Sequence, residues 1–140
     1  MAIGQGQVFA YFDNLRKIIT TATSDLFFVD PYLDADFVSR YLPLVTVGTG
    51  IRLLTSNRMF ATLLPAVDAF GQQTGQPVGV RTATGHDCFV FIDRRECYQS
   101  GASFKDGAKN ALTTLTEITD AFSAVSNTYE AMWNGATVHR

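Results

Sequence analysis

The chain has 140 residues, a length that fits one domain able to bury roughly 70% of the surface exposed by its unfolded form. Apolar residues make up 46% and charged residues 17%, which excludes intrinsic disorder, and a formal net charge of −2 excludes a protein that coats polyanions through its overall field. No stretch nears the roughly 20 apolar residues of a membrane span, and Met1 to Gln7 lacks the basic-then-apolar layout of a signal peptide. Membrane insertion is therefore not expected, and a cytoplasmic location is.

The first periodic segment runs from Val8 to Ala22, where Val8, Phe12, Leu15, Ile18, Ile19 and Ala22 recur at helical spacing with one buried stripe. Leu26 to Val29 is a short continuous apolar run, the mark of a strand covered on both faces, and it stops at Asp30-Pro31. Asp-Pro commonly starts a turn, and Asp30 is read that way here, although strand ends of open α/β sheets also hold ligands. Asp34 is placed to cap a short helix carrying Phe37, Val38, Tyr41 and Leu42 as far as Pro43. Ile51 to Thr55 predicts a second buried strand, and Ser56 or Asn57 opens a third helix whose inner face is Phe60, Leu63, Leu64, Val67 and Phe70, with Pro65 as a candidate kink.

Val78 to Arg81 predicts a third strand. Cys88 to Ile92 and Cys97 to Ser100 then flank the polar turn Asp93-Arg94-Arg95-Glu96 as a hairpin. With Ile92 pairing near Cys97, Cys88 lies roughly 13 Å further along, so both cysteines are expected as free thiols. Leu112 to Ile118 is rich in threonine and β-branched residues and predicts a strand, with a helix as the alternative given its helical flanks. A last helix, capped at Thr119 or Asp120, carries Phe122, Val125, Tyr129, Met132 and Trp133 on one stripe and closes at Asn134-Gly135, where the domain is expected to end. No repeat or linker interrupts the chain, so residues 1–140 are expected to form a single α/β domain, a sheet with helices on both faces.

The segment that bears chemistry is Gly85-His86-Asp87-Cys88-Phe89-Val90-Phe91-Ile92-Asp93, followed after the turn by Ser100-Gly101-Ala102-Ser103-Phe104-Lys105-Asp106. It resembles the phospholipase D-like superfamily, whose motif is His-x-Lys-x4-Asp on a strand, then a Gly-Ser-x-Asn-like turn. His86 and Asp93 hold the outer motif positions, and Gly101 with Ser103 stands at the small-residue turn. Phe28-Val29-Asp30-Pro31-Tyr32 before a helix and the terminal helix with Trp133 extend the likeness over nearly the whole chain. The lysine position holds Cys88, and the asparagine of the turn is out of place.

The resemblance implies a three-layer α/β/α domain with a mixed sheet. It further implies His86 as the nucleophile toward phosphorus, Asp93 as an orienting carboxylate, and Ser103 with the Gly101 to Ser103 backbone as a phosphate cradle. Members with one motif per chain take the second histidine from a twofold partner, so a homodimer is implied. Lys105, two residues past Ser103, is the candidate for a relocated cation, with Lys109 and Arg81 behind it. Two function classes follow: a phosphodiesterase, nuclease-like, working through a phosphohistidine at His86, or an inactive module of the same fold that binds phosphate or nucleic acid or dimerises. A flavodoxin-like signalling domain is a third reading and puts His86 far from any cavity. His86, Cys88 and Cys97 lack the close paired spacings of a zinc site, so no metal and no cofactor are expected. His139 and the pair Arg94-Arg95 are read as solvated surface, and Phe89, Phe91, Phe122 and Trp133 as core.

Overall fold

The computed structural model describes residues 1–109 and 111–140. In chain order the elements are β1 (Ala2–Ile3), α1 (Val8–Thr20), β2 (Asp25–Val29), α2 (Ala35–Tyr41), a 3-10 turn (Leu42–Leu44), β3 (Gly50–Thr55), α3 (Phe60–Thr74), β4 (Val78–Thr82), β5 (Cys88–Ile92), β6 (Glu96–Ser100), β7 (Thr113–Ile118), α4 (Phe122–Gly135) and β8 (Thr137–Val138). Among the described residues the strands form one eight-stranded sheet in the order β1-β7-β6-β5-β2-β3-β4-β8. β2, β3 and β4 run parallel, as their helical crossovers require, while β5, β6 and β7 are antiparallel, as hairpin connections allow. The sheet is thus mixed, as the family resemblance implies.

Alternation along the strands divides the core in two. Leu26 and Phe28 of β2, Leu53 of β3 and Val90 of β5 face Leu15 and Ile19 of α1, Phe37 of α2 and Leu63 of α3. Phe27, Val29, Leu54, Phe89 and Phe91 point the other way, into a smaller cluster closed by Trp133, with Phe122, Val125, Tyr129 and Met132 of α4 packed around it. Each large side chain fully removed from water contributes roughly 1.5–3 kcal/mol, so the continuous apolar strands β2 and β5, buried on both faces, form the centre of the fold. Gly107 is required where the loop after β6 crosses α1, because a Cβ there would overlap the ring of Tyr11. Among the described residues no helix is long and apolar enough to cross a membrane.

Three expectations are corrected. α3 begins at Phe60, with Met59 at its N-cap, rather than at Ser56 or Asn57. The Ser56 hydroxyl instead donates to the Pro31 carbonyl at 2.5 Å and accepts from the Arg58 amide at 3.2 Å, which holds residues 56–58 as a loop. The domain does not end at Gly135: β8 pairs antiparallel with β4. Two residues are too few to show a period, so β8 and β1 left no trace in the sequence pattern. His139 is not idle surface either, since its Nε2 lies 2.9 Å from the Thr82 hydroxyl and its ring 4.3 Å from that of Phe60.

Candidate functional site

The carboxyl ends of β2 and β3 and the amino end of β5 meet at one rim of the sheet, the place where open α/β folds hold ligands. Asp30, directly after β2, is fully buried. Its Oδ1 accepts from the Tyr32 amide at 2.8 Å, and its Oδ2 accepts from the Ser103 hydroxyl and the Phe104 amide, each at 2.8 Å. Burial pushes the carboxyl above its ordinary value, opposed by those three donors and by nearby His86. Asp30 does start the turn, its Oδ1 holding the Tyr32 amide two residues on, and its Oδ2 in addition binds Ser103 and Phe104 behind the cleft.

Cys88, at the first position of β5, is also buried, and burial together with the charges of Asp30 and Asp87 pushes its thiol far above the ordinary value. It is a neutral group at the position to which the family resemblance assigns a lysine. Both cysteines are free, as expected, with Cys88 opposite Ser100 and Cys97 opposite Phe91.

His86 follows Gly85, which turns the chain with a φ of +75°. Its Nε2 lies 3.3 Å from the Thr55 carbonyl oxygen, which can only accept, so Nε2 carries the hydrogen. Nδ1 is buried, with no partner among the described residues. His86 lines a cleft of about 470 Å³ together with Tyr32, Ser56, Arg58, Asp87 and Tyr129. The flavodoxin-like expectation of a histidine far from any cavity fails on this contact. Arg58 lies with its guanidinium carbon 5.4 Å from the Tyr32 ring centroid and makes no ion pair among the described residues. It is exposed and follows directly on Ser56 and Asn57, a loop that the sequence pattern assigned to α3.

The other expected site residues separate. Asp93 lies at the far end of β5, on the order of 20 Å from His86 at the usual strand rise. Its carboxylate accepts from the amides of Thr23, Ser24 and Asp25 at 2.8 to 3.1 Å, so it does not orient the imidazole. Partial burial raises its pKa, but the Asp25, Ser24 and Thr23 donors outweigh that and hold it well below the usual carboxylate range. Gly101 gives its amide to Thr114 O at 2.9 Å, in the ladder toward β7, and offers no donor to a ligand. Ser103 does reach the site, but its hydroxyl and the next amide already hold Asp30. Lys105 Nζ sits 3.2 Å from Asp106 and 3.9 Å from Asp34, neutralised rather than free. Arg81 donates to the Trp133 carbonyl and stacks on that ring, and Lys109 is exposed. Among the described residues no cluster of His, Cys, Asp and Glu suits a metal ion.

A mixed sheet in this order, with three helices on one face and one on the other, is the phospholipase D-like fold. Nuc from Salmonella typhimurium, described as a phospholipase D family member, superposes with a TM-score of 0.64 at 14% identity over 91% of this chain and 90% of that one. NucT from Helicobacter pylori gives 0.69 at 10% identity over 99% and 98%. TrmBL2, an archaeal chromatin protein whose structure is reported to show a novel mode of DNA binding, gives 0.66 at 12% identity; 98% of this chain is covered, spanning about half (52%) of that one. No protein-family model and no curated protein sequence matches the chain.

Proposed function

We propose that this is a phospholipase D-like domain that holds a phosphate-bearing ligand in the His86 cleft without hydrolysing it. The observation that carries the reading is the state of the imidazole: Nε2 donates to the Thr55 carbonyl and Nδ1 is buried, so neither nitrogen presents a lone pair to phosphorus. Two further features support it. The motif lysine is replaced by a buried neutral thiol, and removing one charge-stabilising group from such a site costs on the order of 100-fold to 1000-fold in rate. The donors of the small-residue turn, Ser103 Oγ and Phe104 N, already hold an anion of the protein's own, Asp30. Binding is served by Arg58, a guanidinium in the same cleft without an ion pair among the described residues, with the Ser56 and Tyr129 hydroxyls beside it.

The hydrolytic reading, with a phosphohistidine at His86 and a second histidine from a homodimer partner, needs a free imidazole nitrogen and a cation on the non-bridging oxygens. Binding alone needs neither, so it does not require the homodimer.

The deciding experiment incubates the full chain with bis(p-nitrophenyl) phosphate and titrates it with inorganic phosphate by NMR. No hydrolysis above the His86→Ala background is expected, with phosphate shifting the amides of residues 56–58 and 84–87, an effect that Arg58→Ala weakens about tenfold. Hydrolysis that disappears in His86→Ala would overturn the reading in favour of the enzyme.

A further inference from the structure

A second cavity, of about 510 Å³, adjoins the His86 cleft, and Thr84 lines both. Asn57 lines the second and its neighbour Arg58 the first, so the loop after β3 runs along the two as one groove. Their chemistry differs. The first holds Arg58, His86 and Asp87, whereas no charged side chain lines the second, whose polar groups are Asn57, Thr82, Thr84 and Thr137.

Asn57, Thr84 and Thr137 are exposed, and their side chains make no hydrogen bond among the described residues. Thr82, by contrast, is engaged by His139. Hydroxyls and a carboxamide both donate and accept, which matches ligand hydroxyl groups, and they supply no cation for a second phosphate. Met132 and Ala136 add an apolar wall on which the C–H face of a sugar ring can rest. Behind the loop stands the N-terminus of the 15-residue helix α3, without a side-chain cap among the described residues, so its dipole adds to the positive character of the Arg58 end.

We propose that the groove binds a small phosphorylated sugar, its phosphate at Arg58 and its hydroxyls on Asn57, Thr84 and Thr137. The inference rests on the phosphate-binding reading of the His86 cleft and adds the identity of what the phosphate is attached to. A nucleic-acid strand fits less well, because its sugars are linked through their hydroxyls and carry a charge at every step, which the uncharged half of the groove does not answer.

The test titrates the full chain, by NMR and calorimetry, with inorganic phosphate, glucose, glucose 6-phosphate, ribose 5-phosphate and a short single-stranded oligonucleotide. At least one sugar phosphate is expected to bind about tenfold or more tighter than phosphate or glucose alone. Thr137→Val and Asn57→Ala, both at exposed positions, are each expected to cut that affinity about fivefold. If both sugar phosphates bind no tighter than inorganic phosphate, or if the oligonucleotide outcompetes them, this inference falls and the phosphate-binding reading stands. If neither phosphate nor any phosphate-bearing probe binds, both fall together.

Discussion

The two ends of β5 use the same kinds of residue to opposite effect. At the Asp93 end no buried side-chain polar atom is left without a partner among the described residues. The Asp93 carboxylate takes the amides of Thr23, Ser24 and Asp25, and Arg52 bridges Asp25 at 2.8 Å and Glu130 at 2.7 Å, with Arg94 on the far side of Glu130 at 2.6 Å. Arg52 also lies 4.2 Å from the Phe27 ring centroid. At the His86 end, polar atoms are left over: His86 Nδ1 and Thr55 Oγ1 are buried without partners among the described residues, and Arg58 makes no ion pair there. A saturated end holds the fold together; an end with unmet hydrogen-bonding capacity costs stability and is where a ligand can supply what is missing.

The contrast can be broken most forcefully at Arg52. Arg52→Ala leaves Asp25 and Glu130 partly buried without their shared cation, and is expected to lower the unfolding free energy by about 3 kcal/mol in urea titrations. A loss under about 1 kcal/mol would show that the network is only surface decoration.

Asp93 is the next test, and two substitutions divide its roles. Asp93 and Arg94 both lie in the left-handed region, at φ +53° and +58°, which aspartate and asparagine tolerate better than alanine. Asp93→Ala is expected to cost about 2 kcal/mol, through three unpaired amides and the backbone, and Asp93→Asn about half of that. The charge contribution has a definite pH sign. The folded carboxyl titrates below its unfolded value of about 3.9, so its stabilisation is complete above that pH and is lost as the pH falls beneath it. The stability gap between the natural protein and Asp93→Asn should therefore narrow below about pH 4, and a gap that stays constant to pH 2 would refute the amide-held carboxylate.

The smallest effect belongs to the opposite end. His86→Ala removes one 3.3 Å contact and an orphan nitrogen, so thermal and urea unfolding should change by no more than about 0.5 kcal/mol. A loss above about 2 kcal/mol would place His86 with the structural residues and erase the difference between the two ends.

Much of the architecture was legible in the residues. The helical stripe of Leu15 and Ile19, the doubly buried runs of β2 and β5, and the threonine-rich β7 are local patterns, and a hydrophobic period of two or 3.6 survives whatever the rest of the chain does. The site was legible only in part. His86 lines the cleft and Ser103 binds the buried Asp30, but spacing along a strand cannot say which end of that strand a residue occupies relative to the ligand, so Asp93 was grouped with groups that lie at the far end of β5. Arg58 was missed for the same reason in reverse, and the bond from Ser103 to Asp30 was not foreseen. Arg58 and Asp30 belong to different segments, and only the parallel register of β2 with β3 and the antiparallel register of β2 with β5 set them beside His86.

By itself the sequence determined the longer elements, their order and a layered α/β domain, because these follow from side-chain periodicity and turn chemistry within a few residues of each position. Tertiary structure alone decided which polar groups are answered and which are left open. That depends on which strand ends meet: closing the sheet put the Asp30 carboxylate into the Ser103 cradle, tied Lys105 to Asp34 and Asp106, and left Arg58 in the cleft without an ion pair among the described residues.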